Sequence, residues 1–156
     1  MCGRGARILD LVGALKGARL FIDTSPFIYF IEGHSEYGKL VRPVFRMVDT
    51  GRIEAITSTI TLLEVLVRPL KTGNKILAER YREILLNSKG LSTFAIGHEA
   101  AEKAANLRAK YSLRTPDALQ VSVGQLYGAE KFLTNDQRLK GLKEIEVVTL
   151  DDFLNT

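Results

Sequence analysis

The chain has 156 residues, 46% hydrophobic and 26% charged, which supports one good core and hardly two. Its formal charge is +4, modest for a nucleic-acid-binding protein, so the placement of the charge matters more than its total. The single cysteine, Cys2, excludes an intrachain disulfide framework and fits a reducing compartment, so a cytoplasmic location is expected. No stretch approaches the ~20 apolar residues of a membrane span, and no membrane partner is expected.

The first 18 residues read as a helical extension ahead of a single domain over 19–156. Ile8, Leu9, Val12 and Leu15 recur at helical spacing, while Asp10 and Lys16 interrupt any secretory signal. Arg19 to Ile22 is a short apolar run that reads as a buried strand ending at Asp23. Thr24, Ser25 and Pro26 then open a helix carrying Phe27, Ile28, Phe30 and Ile31. The i, i+3 spacing of Phe27 and Phe30 points to core packing, which leaves Tyr29 as the aromatic for solvent or for stacking on a base. Leu40, Val41, Val44, Phe45 and Val48 predict a helix over 37–50 that Gly51 stops. Glu54 to Thr57 is the next strand, followed at once by a helix with Ile60, Leu63, Glu64 and Val67. A helix over 74–87, a strand at Leu91 to Ala95, an Ala-rich helix from Gly97 to Lys110 and a Pro116-initiated helix to Tyr127 come next. Strands at Lys131 to Thr134 and Glu146 to Thr149 complete the pattern. Strands alternating with helices imply an α/β domain with a mostly parallel central sheet covered on both faces.

The basic charge concentrates in residues 68–89, where Arg68, Lys71, Lys75, Arg80, Arg82 and Lys89 face only Glu79 and Glu83. This is either a solvated helix face or a surface that tracks phosphates. An apolar face for a partner is available near Val41 to Met47 or Ile76 to Leu86, positions that core packing explains equally well.

Four carboxylates stand at the edges of apolar segments: Asp23 in RLFIDTSPFIYF, Glu64 in TLLEVLVRP, Asp117 in RTPDALQVS and Asp136 in KFLTNDQRL. In a parallel sheet, ligands bind beyond the carboxyl ends of the strands, and Asp23 and Asp136 occupy such ends. Each acid has an ordinary alternative: a cap for Asp23, a helix-dipole charge for Asp117, a turn former for Asp136, and a buried ion pair for Glu64 among its leucines and valines. One shared site replaces four unrelated explanations. Unit charges ~4 Å apart repel by about 4 kcal/mol at an effective dielectric of ~20, so such a site calls for a divalent cation. An all-oxygen ligand set selects magnesium or manganese. Zinc is disfavoured because His34, His98 and Cys2 are scattered singly, both histidines reading as surface residues. Hydrolysis of a nucleic-acid phosphodiester is the natural chemistry of such a pocket. The run Asp23-Thr24-Ser25 lacks the second Asp that phosphoaspartate enzymes place two residues after the nucleophile, and Gly3-Arg4-Gly5 is not a phosphate loop.

These four blocks, in this order over about residues 19–150, resemble the PIN-domain ribonucleases and, among them, the VapC-like toxins of toxin–antitoxin pairs. The resemblance implies a PIN-like fold and an endoribonuclease dependent on Mg2+ or Mn2+, with Asp23 and Asp117 as direct metal ligands and Glu64 and Asp136 completing the pocket. It also implies a supporting hydroxyl at Thr134, and Ser25 either supports Asp23 or caps the helix. Asn135 reads as a turn residue. Arg68, Lys71, Lys75 and Arg114 are candidates for RNA phosphates. An antitoxin protein covering the cleft and a homodimer are the partners implied. The alternatives are a PIN module that binds RNA or protein without cutting, and a processing nuclease outside any toxin–antitoxin pair. Two departures stand out: the extension before the first strand, and a last block reading Asn-Asp-Gln-Arg in place of the commoner pattern with a second Asp and an aromatic residue.

Overall fold

Five strands lie side by side, all parallel, in the order β3-β2-β1-β4-β5. They are β1 (Arg19–Ile22), β2 (Glu54–Ser58), β3 (Leu91–Phe94), β4 (Lys131–Thr134) and β5 (Glu146–Thr149). The structure is a computed structural model that describes residues 6–154, and Cys2 falls outside that range. Helices α1 (Ile8–Leu15), α2 (Thr24–Ile31), α3 (Tyr37–Asp49), α4 (Thr59–Thr72), α5 (Lys75–Asn87), α6 (His98–Lys110) and α7 (Thr115–Leu126) connect and cover the sheet.

Period-two alternation sorts the strand side chains onto two faces. Leu20 and Ile22 of β1, Ala55 of β2 and Leu133 of β4 point into a core with α1, α2, α3 and α5. Phe21, Ile56 and Phe132 point the other way, into a core with α6 and α7. Phe21 and Phe132 stack across β1 and β4 with centroids 4.9 Å apart. The helix of the N-terminal extension is part of this packing, because Leu11 and Leu15 of α1 are fully buried in the first core. Its buried face differs from the expected one: Leu9 is 86% exposed, and Leu11 takes the inward position.

Gly73 and Gly90 are among the glycines that geometry demands. Gly73 ends α4 at φ +71°, the left-handed conformation that lets the chain turn into α5. Gly90 precedes β3 so close to α3 that a Cβ there would sit 2.3 Å from the Val48 carbonyl oxygen.

The site follows from the strand order. From β1 the chain crosses to β2 and β3 on one side and later returns to β4 and β5 on the other. The crevice outside the carboxyl ends of β1 and β4 is therefore the topological switch point, where open α/β sheets bind ligands.

Candidate active site

Asp23 directly follows β1, and its backbone N–H extends the ladder to the Leu133 carbonyl at 2.9 Å. Its extended backbone (ψ 176°) aims the carboxylate past the sheet edge before α2 begins, and the side chain makes no capping bond to that helix. Oδ2 accepts a hydrogen bond from Thr134 Oγ1 at 2.7 Å, and Oδ1 accepts one from Gln120 Nε2 at 3.2 Å. Burial raises its carboxyl from 3.8 to about 6; the hydrogen bond from Thr134 opposes that rise and the nearby Asp117 charge adds to it.

Thr134, the fully buried last residue of β4, also accepts from the Asp136 N–H at 3.1 Å, so one hydroxyl ties the first and last acids together. Asp136 starts a 3-10 turn (Gln137–Gly141), so the ordinary alternative of a turn former describes it too. It also takes two bonds from the Arg138 guanidinium, at 2.9 and 2.7 Å. Those bonds hold its carboxyl below the usual range, against its partial burial. Asp117 lies in the first turn of α7 after Pro116 and is bound by Arg114 Nε at 3.0 Å. Glu64 on α4 accepts from Thr24 Oγ1 at 2.7 Å.

All four acids line one cleft of about 360 Å³, together with Thr24, Ser25, Tyr29, Arg114, Thr134 and Asn135. Their side chains are not gathered into a finished cage: among the described residues, no three of His, Cys, Asp and Glu are close enough to hold a metal as placed. Each is turned to its own local partner: Asp23 to Thr134 and Gln120, Glu64 to Thr24, Asp117 to Arg114 and Asp136 to Arg138. The donor set still fits a hard divalent ion, since it is all oxygen, Asp23 is fixed, and Asp117 and Asp136 are held by single side-chain pairs. Ser25 contributes to the cleft wall, and its buried Oγ is without a hydrogen-bond partner among the described residues. It neither supports Asp23 nor caps α2.

Glu64, set among Leu62, Leu63, Val65, Leu66 and Val67, called for a partner or a water-filled cleft, with a buried ion pair as the ordinary alternative. It is exposed, lines the cleft and is bonded to Thr24, and α4 leaves Leu63 and Val67 more than half exposed as well. The apolar run serves two faces of the helix. Tyr29 lines the cleft, with its hydroxyl accepting from Asn135 Nδ2 at 3.1 Å. Asn135 in turn accepts from the Asp151 N–H at 3.0 Å, which makes it a brace as well as a turn residue. Phe27 is fully buried and Phe30 partly so, stacked on Phe45, while His34 and His98 are both exposed. Arg68, Lys71 and Lys75 are exposed but lie outside the cleft wall.

Three participants escaped the sequence: Gln120, Thr24 and Arg138. Gln120 was legible in one respect, since it sits at i+3 from Asp117 and is a large polar residue among the small and apolar ones of DALQVSVG.

The PIN domain family model matches residues 20–145, and the chain belongs to that family. Solved structures extend the likeness. A toxin–antitoxin complex from Klebsiella pneumoniae is 25% identical, with 85% of this chain and 98% of that chain covered and a TM-score of 0.63. VapBC2 from Rickettsia felis, bound to a DNA fragment from its promoter, is 17% identical over 83% and 97% of the two chains, with a TM-score of 0.66. Mycobacterium tuberculosis VapC20, a sarcin–ricin-loop-cleaving toxin, is 14% identical over 72% and 86%, with a TM-score of 0.59. No curated protein sequence matches the chain at a significant level.

Proposed function

We propose that this protein is a VapC-like ribonuclease toxin that hydrolyses RNA phosphodiester bonds with the help of Mg2+ or Mn2+. The observation that carries this reading is the convergence of Asp23, Glu64, Asp117 and Asp136 on one cleft at the switch point of a PIN-family sheet. Asp23 and Asp117 would hold the ion directly, and Glu64 and Asp136 would hold it directly or through water. When bound, such an ion polarises the scissile phosphate and acidifies an attacking water.

The remaining work falls to residues of this chain. Thr134 fixes one oxygen of Asp23, and Thr24 holds Glu64 toward the cleft. Arg114 stands at the rim, where its guanidinium can meet a phosphate oxygen, and Tyr29 offers a ring edge for an adjacent base. Arg68 and Lys71 follow Glu64 at i+4 and i+7 along α4, and Lys75 opens α5, so these exposed cations extend a basic path away from the acids.

Regulation by an antitoxin fits the same geometry. Leu63, Val67 and Leu70 form an i, i+4, i+7 stripe on α4 with 60%, 55% and 59% exposure, beside Glu64. Ile76 and Leu86 of α5 are exposed as well, whereas the stretch from Val41 to Met47, the other expected face, is largely core. A partner helix, from an antitoxin or a second copy, would cover that stripe. No described helix is long and apolar enough to cross a membrane.

The test is incubation of the purified, antitoxin-free protein with structured RNAs plus Mg2+ or Mn2+, beside Asp117→Asn and a chelator control. Cleavage that needs the metal and is lost in the variant is expected. Cleavage that resists chelation, or full activity in Asp117→Asn, would overturn the mechanism. Failure to cut any RNA would leave a PIN module that binds without cutting.

A further inference from the structure

Gln120 lies one turn after Asp117 on α7 and is 1% exposed. It belongs to a polar chain with Thr57, Ser58 and Thr61, each with 0% exposure, set in an otherwise apolar interior. The direction of every hydrogen bond in that chain is forced. Thr57 Oγ1 lies 2.8 Å from the Ile22 carbonyl oxygen, which only accepts, so its proton is committed there. Thr61 Oγ1, 2.8 Å from Thr57 Oγ1, therefore donates to it and has only lone pairs left. The Gln120 atom 2.7 Å from Thr61 must then be the amide nitrogen. The amide oxygen takes the proton of Ser58, whose own oxygen accepts from the Ile60 N–H at 3.1 Å. One amide proton of Gln120 remains, and it is directed at Asp23 Oδ1 at 3.2 Å.

From this geometry we infer that Gln120 is a positioning residue. It locks the carboxylate of Asp23 so that its free lone pairs face the cleft and an incoming divalent cation. The inference rests on the metal-site reading above and names the interior device that serves it. A carboxylate torsion is broad and two-fold when left alone. With Thr134 on one oxygen and Gln120 on the other, Asp23 is pinned at both ends. Packing alone does not call for the amide, since a methionine of similar length would fill the same space without burying it. The chain runs from the backbone of β1 through β2 and α4 to α7, and reaches the cleft at Asp23.

Loss of an outer hydrogen-bond partner of a metal ligand typically lowers metal affinity about 10–100-fold, and that is the size expected here. The test titrates Mn2+ into the chelator-stripped full chain by calorimetry, with thermal unfolding measured in parallel. Gln120→Met removes the donor but strands the Thr61 lone pair and takes the acceptor from the Ser58 proton. The double variant Thr61→Val with Gln120→Met removes the donor and the stranded lone pair together and leaves Thr57 bonded to Ile22, while Ser58 still accepts from the Ile60 N–H but has no acceptor for its own proton. If Gln120 positions Asp23, the double variant regains part of the thermal stability lost in Gln120→Met but still binds Mn2+ about 10–100-fold more weakly than the wild type. Recovery of Mn2+ affinity together with stability would make Gln120 merely structural and overturn the proposal. Wild-type affinity in Gln120→Met would overturn it as well, leaving the metal site standing. A wild-type chain that binds no Mn2+ would remove the metal site and the proposal together.

Discussion

Replacing Asp23 by asparagine should make the metal-free protein more stable while abolishing its metal site. Burial raises the Asp23 carboxyl from 3.8 to about 6, so the folded chain holds the proton more tightly than the unfolded chain does. Below pH 4 both states carry that proton and ionisation costs nothing. Between about pH 4 and 6 the unfolded chain releases it first, so stability falls as pH rises. Above pH 6 the penalty is complete, and at ~1.36 kcal/mol per pH unit it is on the order of 3 kcal/mol. Asparagine removes this penalty but offers one acceptor oxygen to two donors, Thr134 and Gln120, and the unmet donor costs roughly 1 kcal/mol. The net gain is about 2 kcal/mol, or roughly 4–8 °C in Tm for a domain of this size. Thermal unfolding of wild type and Asp23→Asn in chelator, from pH 4 to pH 8, measures it. The variant should melt higher at pH 8, and the gap should close and slightly reverse toward pH 4, where only the unmet donor separates the two proteins. Added Mn2+ should raise only the wild type. A variant that melts lower at pH 8, or a gap that does not change with pH, would refute the claim that Asp23 is held at an electrostatic cost.

Three further outcomes are expected. Arg138→Gln releases Asp136, whose carboxyl the guanidinium now holds below its usual range. Calorimetry should show Mn2+ binding several-fold tighter, and unchanged affinity would mean that the pair does not compete with the ion. The stability this pair provides is present at neutral pH and lost as pH falls through the depressed value, so the variant should differ least from wild type in acid. Leu15→Ala, in the fully buried position of α1, should cost about 2–5 kcal/mol in urea unfolding. A cost near zero would detach the N-terminal helix from the core. Gly90→Ala drives a Cβ against the Val48 carbonyl, and a loss of about 1–3 kcal/mol is expected by the same method.

The sheet was legible because its strands are short apolar runs bounded by turn chemistry. β1, β4 and β5 fall on the residues that periodicity indicated, and helix ends moved by only a residue or two. Side-chain placement was harder where apolar residues serve two faces. In α1, apolar residues adjacent in sequence left the phase open, and Leu11 rather than Leu9 turned inward. In α4 the same ambiguity made Glu64 look buried, when the helix instead carries an exposed stripe beside it. Gln120 was missed for a different reason. It meets Ser58 and Thr61 from strands and helices more than fifty residues away in the chain, and no local pattern reports a hydrogen bond at that separation.

The four acids hold unequal positions, and their partners explain the difference. Asp23 is bound by two neutral donors, which in the proposed site would not have to be displaced by a cation. Asp117 and Asp136 are neutralised by Arg114 and Arg138, which are 63% and 65% exposed. In the proposed site, a cation that claims those carboxylates leaves two guanidiniums at the rim without counter-charges. A phosphate backbone is the natural replacement, because its oxygens match the guanidinium fork that the carboxylates had occupied. Metal and RNA would then each ease the binding of the other through a shared set of ion pairs. The arginines that offset the acids of the cleft would become the residues that recognise the substrate.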